Sequence, residues 1–270
     1  MSETHIHTRV DGLELAGELY RPAGDGPAPY LVEVHGGAWQ MQDRLSNKAL
    51  HEDLAAHGVG VFALDFRLST QAQYPAPVAD VSHGIRWFKA NLDALGVNAS
   101  KVGGLGFSSG GQQLGLVALC PAGADYTGAD PALAGVDASV DFVALGWPIL
   151  DPLARYRFVQ ASGNERIQAA HHAYFADEAA MEAGNPHMLL QRGEATHRPP
   201  MLVLQGTEDS NVEHQRADLF ADAYRAAGGE IEVVKYDGQP HTFISANPDS
   251  DATADAKRRI REFALAQALA

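Results

Sequence analysis

The chain has 270 residues and a mass of 28.8 kDa, enough to bury one large α/β core or two small ones. Apolar residues make up 46% and charged residues 20%, which excludes a disordered chain, and a formal charge of −14 speaks against a nucleic-acid partner, because phosphates are held by Lys and Arg. A single cysteine, Cys120, excludes both an intrachain disulfide and a paired-cysteine zinc site.

Residues 1–7 lack the basic and apolar segments of a secretory signal. No apolar run approaches the roughly 18 to 20 residues that span a bilayer. The expectation is a soluble, cytoplasmic protein with no membrane partner. Residues 5–10 and 13–20 alternate, with Ile6, Leu13, Leu15 and Leu19 as apolar members, and Asp11-Gly12 between them predicts a two-residue hairpin turn. On this edge strand His5 and His7 are expected to be exposed. Residues 21–29 are a Gly- and Pro-rich loop. Residues 30–34 form a strand that ends in His35-Gly36-Gly37-Ala38-Trp39. A helix follows over 44–57, then a continuous apolar strand over 59–64, as expected where both faces are covered.

The best-patterned helix comes next. Val78, Val81, Ile85, Phe88, Leu92 and Leu95 recur at three and four, and Gly96 stops the run. Asp65 and Arg67, just before it, read as an ion pair or cap of the scaffold. Residues 101–107 form a strand, 109–120 a helix closing on the structural thiol of Cys120, and 121–135 a loop. Residues 140–146 form another buried strand, ending at Trp147-Pro148. Residues 151–198 break the pattern: they are polar with short helical pieces, Asn185-Pro186 reads as a cap and first helical position, and the segment is read as an inserted lid. Residues 201–204 resume the sheet, followed by a helix over 212–227, a strand over 231–236 and a helix over 251–269. Alternation of strands and helices from residue 30 onward calls for one domain, 1–270, with a mostly parallel sheet and helices on both faces.

In such sheets sites form beyond the carboxyl ends of the strands. Gly106-Phe107-Ser108-Ser109-Gly110 fits G-x-S-x-G, a strand turning directly into a helix with Ser108 at the apex. The strand ending at residue 204 is followed by Gln205-Gly206-Thr207-Glu208-Asp209, and the one ending at 236 by Asp237-Gly238-Gln239-Pro240-His241. A hydroxyl, a carboxylate and an imidazole thus end three strands in the order Ser, Asp, His. Glu208 and Asp151 compete with Asp209 for the acid.

That order, the elbow and His35-Gly36-Gly37 together resemble the α/β-hydrolase superfamily, in particular the hormone-sensitive-lipase-like esterases, the small bacterial carboxylesterases and the arylformamidases. The resemblance covers nearly the whole chain and implies a mostly parallel eight-stranded sheet. Gly206 to Val212 resembles the family's G-x-x-D-x-x-V, which favours Asp209. Ser108 is then the nucleophile, His241 its base and Asp209 the group that orients the imidazole. The backbone N–H of Ser109 at the helix start is one donor to the developing oxyanion. The family's His-Gly-Gly-x loop implies Gly37 and Ala38 as the others, with Gly36 and Gly37 as the alternative pair. Trp39 and Trp147 flank these residues and are candidates to line the substrate pocket. His35 is expected to order its own loop, and His171-His172 to pack the lid, since adjacent helical positions do not face one metal.

The chemistry implied is hydrolysis of a small ester, of short acyl chain or aryl type, through an acyl-enzyme, with no cofactor and no metal. An amidase or arylformamidase using the same residues is the alternative. A non-catalytic ligand-binding protein is the third reading, although such proteins lose a member of the set and all three are present here. Relatives of this kind form homodimers, and the resemblance implies that option.

Overall fold

The structure is a computed structural model and describes residues 2–128 and 130–270. Strands β1 (Ser2–Val10) and β2 (Leu13–Tyr20) form the antiparallel hairpin at one edge of the sheet. Asp11 and Gly12 at its tip both have positive φ, 52° and 78°, the backbone that a two-residue hairpin turn demands. The register slips between Ile6 and Thr8. That bulge reverses which side chains face inward. His7 is buried, its Nε2 donating to the Asp65 carbonyl at 3.0 Å, while Ile6 is exposed. The expectation of an exposed His7 is therefore corrected.

Beyond the hairpin lie β3 (Ala28–Val34), β4 (Gly60–Leu64), β5 (Ala99–Phe107), β6 (Val143–Gly146), β7 (Met201–Gly206) and β8 (Ile231–Tyr236). All eight form one sheet in the order β1-β2-β4-β3-β5-β6-β7-β8, parallel from β4 to β8 and antiparallel only where β2 meets β1 and β4. This is the expected eight-stranded, mostly parallel sheet. Its central strands are buried on both faces because apolar residues fill both alternations. Val32, Val34, Phe62, Leu64, Val143, Leu145 and Val203 face one layer of helices, which includes α2 (Ala76–Ala90), α3 (Ser109–Leu119) and α8 (Gln215–Ala226). Leu31, Val61, Ala63, Leu105, Ala144, Leu202 and Leu204 face the other, made by α1 (Lys48–Ala56), the short α9 (Phe243–Ala246) and α10 (Asp251–Gln267). None of the described helices is long and apolar enough to cross a membrane.

Several boundaries differ from the sequence-based expectation for local reasons. Helix α1 starts at Lys48 rather than residue 44 because the Arg44 amide donates to Asp65 and the Leu45 amide to Asp43. Helix α2 ends at Ala90, where the Asn91 side chain donates back to the Trp87 carbonyl, yet Leu92 and Leu95 still pack on the core from the turns that follow. Between β6 and β7, the segment 152–191 carries α4 (Pro152–Ala161), α5 (Glu165–Tyr174), α6 (Glu178–Ala183) and α7 (Pro186–Gln191). Each of these helices is started by an Asp or Asn side chain accepting from its first turn: Asp151, Asn164, Asp177 and Asn185. They share a small core of their own with the sheet's loops: Trp39, Ile149, Leu153, Tyr156, Tyr174, Phe175, Met181 and Val212.

Candidate active site

Strand β5 runs into α3 with no intervening loop, and Ser108 sits at the corner with φ 50° and ψ −117°. A non-glycine residue is held at such angles only when its surroundings over-determine it. Here the Ser108 N–H donates to the Gly146 carbonyl at 3.0 Å, and the Ser108 carbonyl accepts from Ile149 at 3.1 Å. The first turn of α3 lies hard against the end of β3. A Cβ on Gly110 would stand 2.1 Å from the Val34 carbonyl oxygen and 2.2 Å from that of His35. The bare backbone there is what lets helix and strand approach closely enough to expose the serine hydroxyl.

Ser108 Oγ lies 2.9 Å from His241 Nε2, and His241 Nδ1 lies 2.7 Å from Asp209 Oδ2. The three residues come from the ends of β5, β8 and β7. The Asp209 side chain is fully buried, and its other contacts fix it: Gln205 Nε2 donates to Oδ2 at 2.9 Å, and the amides of Asn211 and Val212 donate to Oδ1 at 2.8 and 2.9 Å. Burial pushes the Asp209 pKa up, but the His241 contact, with the Val212 amide and Gln205 beside it, outweighs burial and holds the carboxyl below its ordinary value. Of the competing acids, Glu208 is exposed and Asp151 is engaged elsewhere. Asp151 caps α4 and accepts from Asn185 Nδ2 at 2.8 Å.

The loop after β3 approaches Ser108 from the other side. Gly37, Ala38 and Trp39 all have positive φ, 97°, 53° and 63°. A Cβ on Gly37 would stand 2.0 Å from the Met41 carbonyl oxygen, so only glycine fits that turn. The Trp39 amide donates to Ser109 Oγ at 3.1 Å, which ties this loop to the start of α3. The amides of Gly36, Gly37, Ala38 and Ser109 have no acceptor among the described residues. His35 is buried, stacked on Phe66 at 4.3 Å with Nδ1 against the Gly36 carbonyl at 2.9 Å, so it orders this loop as expected.

Ser108 and His241 open into a cavity of about 270 Å³. Its walls include Gly36, Gly37, Ala38, Phe107 and Trp147, and also Gln42, Asn47, Arg155, Arg166 and Asn211. Trp147 is thus a wall residue, edge-on to His241 with ring centres 6.1 Å apart. Trp39 is not. The left-handed turn carries its indole away from the cavity into the helical segment, where it stacks on Tyr174 at 4.8 Å and its N–H donates to Gln112 Oε1 at 3.0 Å. The expectation that Trp39 lines the pocket is corrected: it joins the loop to α3 and α5. His171 and His172 pack the helical segment, accepting from Arg155 and contacting the Tyr156 hydroxyl. Asp65 and Arg67 do not pair with each other: Asp65 holds Arg44 at 2.7 Å, and Arg67 holds Asp80 at 2.8 Å.

Sequence reasoning did not single out the two wall arginines, since they lie in the least periodic part of the chain. Nor did it find the accepting role of the Ser109 side chain, which depends on a contact 70 residues away.

The sequence matches the BD-FAE family over residues 18–224, a span that holds Ser108 and Asp209 but not His241. It is 27% identical over 227 residues to Esterase LipC of Mycobacterium tuberculosis (strain ATCC 25618 / H37Rv), covering 80% of this chain and 53% of that protein. It is 26% identical over 253 residues to an ethyl acetate hydrolase of Pseudomonas putida, covering 90% and 76%. The chain therefore spans about half the length of some curated relatives. Among solved structures, the propionate-bound esterase Est2 of Thermogutta terrifontis superposes with a TM-score of 0.76 at 25% identity, covering 97% of this chain and 93% of that one.

Proposed function

Since the chain belongs to the BD-FAE family of α/β-hydrolase-like proteins, we propose that it is a serine carboxylesterase acting on small esters through an acyl-enzyme on Ser108. The observation that carries this reading is the hydrogen-bonded run Ser108–His241–Asp209 opening into a cavity of about 270 Å³. His241 Nε2 takes the Ser108 proton as Oγ bonds to the ester carbonyl carbon. Asp209, kept ionised and fully bonded, holds the Nδ1–H tautomer and stabilises the imidazolium that forms. The carbonyl oxygen gains negative charge, and the free amides of Gly37, Ala38 and Ser109 are the donors available to it. Losing one such donor typically costs about 3 to 4 kcal/mol of transition-state stabilisation. The imidazolium then gives its proton to the leaving alcohol. Water, deprotonated by the same nitrogen, attacks the acyl-enzyme and frees the acid and Ser108.

The cavity volume and the helices over 152–191, acting as a lid, favour a short acyl chain or a small aryl ester. The names of the curated relatives, an esterase and an ethyl acetate hydrolase among them, favour an ester over an amide. A fluorophosphonate probe is expected to label the wild type and not Ser108→Ala, and His241→Ala is expected to lose several orders of magnitude in kcat on p-nitrophenyl acetate. Equal labelling of wild type and Ser108→Ala overturns the nucleophile assignment. Faster turnover of an aryl formamide or a p-nitroanilide than of p-nitrophenyl esters overturns the ester preference.

A further inference from the structure

The chain carries a formal charge of −14, yet the cavity beside Ser108 has the opposite sign. Its walls include Arg155 and Arg166 and not one carboxylate. Arg155 projects from the first turns of α4 and is only 4% exposed. Its Nε donates to the Asn211 carbonyl at 3.0 Å and its Nη1 to His171 Nε2 at 2.9 Å, and the guanidinium carbon lies 5.7 Å over the Trp39 ring. Those are two of five N–H donors, and both acceptors are uncharged. Among the described residues no Asp or Glu oxygen lies within 4 Å of it. Asp209 is the acid whose charge reaches it most, but the oxygens of Asp209 are already taken by His241, Gln205, Asn211 and Val212. A buried cation without an anion is costly, and proteins keep one chiefly where a ligand completes it. Arg166, on the first turn of α5, is exposed at the same wall and likewise has no acid partner.

Resting on the esterase reading, we infer that Arg155 and Arg166 bind a carboxylate on the substrate, so that the preferred substrates are esters carrying a second, free carboxyl group. The planar guanidinium fork suits a carboxylate, and the stacking on Trp39 with the Asn211 and His171 contacts holds it preformed. Burial lowers the Arg155 pKa to about 10, which leaves it charged at neutral pH. Gln42 and Asn211 are further uncharged polar residues on the same walls. The positions of the two arginines make them specificity-determining rather than catalytic.

The test compares kcat/KM for matched pairs on the purified full chain. 4-Acetoxybenzoate against its methyl ester places the carboxylate on the leaving group; monophenyl succinate against methyl phenyl succinate places it on the acyl group. In one pair the wild type is expected to favour the anionic member by about tenfold to a hundredfold, the range for a hydrogen bond to a charged group. Arg155→Gln and Arg166→Gln are each expected to pull that ratio down several-fold, and Arg155→Lys to restore part of it. A ratio within one variant does not depend on how much of that variant is folded, and Arg166, at the exposed rim, tests the idea if Arg155→Gln does not fold. No anionic preference in either pair, or a ratio unchanged in the arginine variants, overturns the inference while leaving the esterase reading intact if neutral esters are hydrolysed. Failure to hydrolyse any of the four esters removes both.

Discussion

Ser109 shows how two neighbouring serines divide their work. Ser108 presents its hydroxyl to His241, whereas Ser109 has no acceptor for its amide among the described residues and turns its own hydroxyl inward to accept the Trp39 amide at 3.1 Å. That contact ties the Gly37–Ala38 loop to the start of α3, beside Ser108. Ser109→Ala leaves the amide in place but strands a buried Trp39 N–H, at a cost of about 1 to 3 kcal/mol. If the amides of Gly37 and Ala38 are the proposed oxyanion donors, they then lose their register with Ser108, and kcat is expected to fall tenfold or more with little change in KM. Steady-state kinetics on p-nitrophenyl acetate with a thermal melt checks it. An unchanged kcat accompanied by a lowered Tm means that the contact stabilises the loop without positioning it.

At the scale of elements, the junction of β3, β5 and α3 depends on Gly110 more than on any side chain. An added Cβ at 2.1 Å from the Val34 carbonyl meets backbone on a central strand, which has no rotamer by which to yield. Gly110→Ala is expected to destabilise the fold by about 3 kcal/mol and to push α3 off the sheet, lowering both Tm and activity. Thermal denaturation checks it, and a Tm within a degree of the wild type contradicts the packing account. This junction was legible in the sequence because glycine spacing and turn chemistry are local signals, as were the Asp11-Gly12 hairpin and the Asn185-Pro186 cap. The order of serine, acid and histidine along the chain was legible for the same reason: each follows a short apolar strand. What was not legible depends on contacts distant in sequence. The bulge between Ile6 and Thr8 reverses the alternation and buries His7 where Ile6 was the apolar member. The three left-handed residues from Gly37 to Trp39 send an indole toward α5 that its neighbours in sequence would place in the cavity. Arg155 and Arg166 lie on short, polar helices whose pattern does not reveal which face meets the site.

Across the whole molecule, two buried histidines set how the fold responds to acid. Burial lowers the His7 pKa from 6.5 to about 4, the Asp65 carbonyl opposing this and the charge of His83 adding to it. Burial, with the charge of Arg155 beside it, lowers His171 to about 2. Both are uncharged in the folded state and both gain a proton when the chain unfolds below pH 6.5. The unfolded state then binds more protons, so the stability these groups contribute is complete above pH 6.5 and is lost as pH falls toward 4. Two such groups give a slope of roughly 2 to 3 kcal/mol per pH unit near pH 5, above the range where the lowered carboxyl of Asp209 begins to add its own loss. His7→Gln keeps a donor for the Asp65 carbonyl and His171→Gln keeps an acceptor for Arg155, while neither can be protonated. Urea unfolding between pH 5 and 6 is expected to give about half the wild-type slope for either variant and a nearly flat profile for the double variant. A slope unmoved by both replacements would place the acid sensitivity in other groups and leave these two histidines as inert packing.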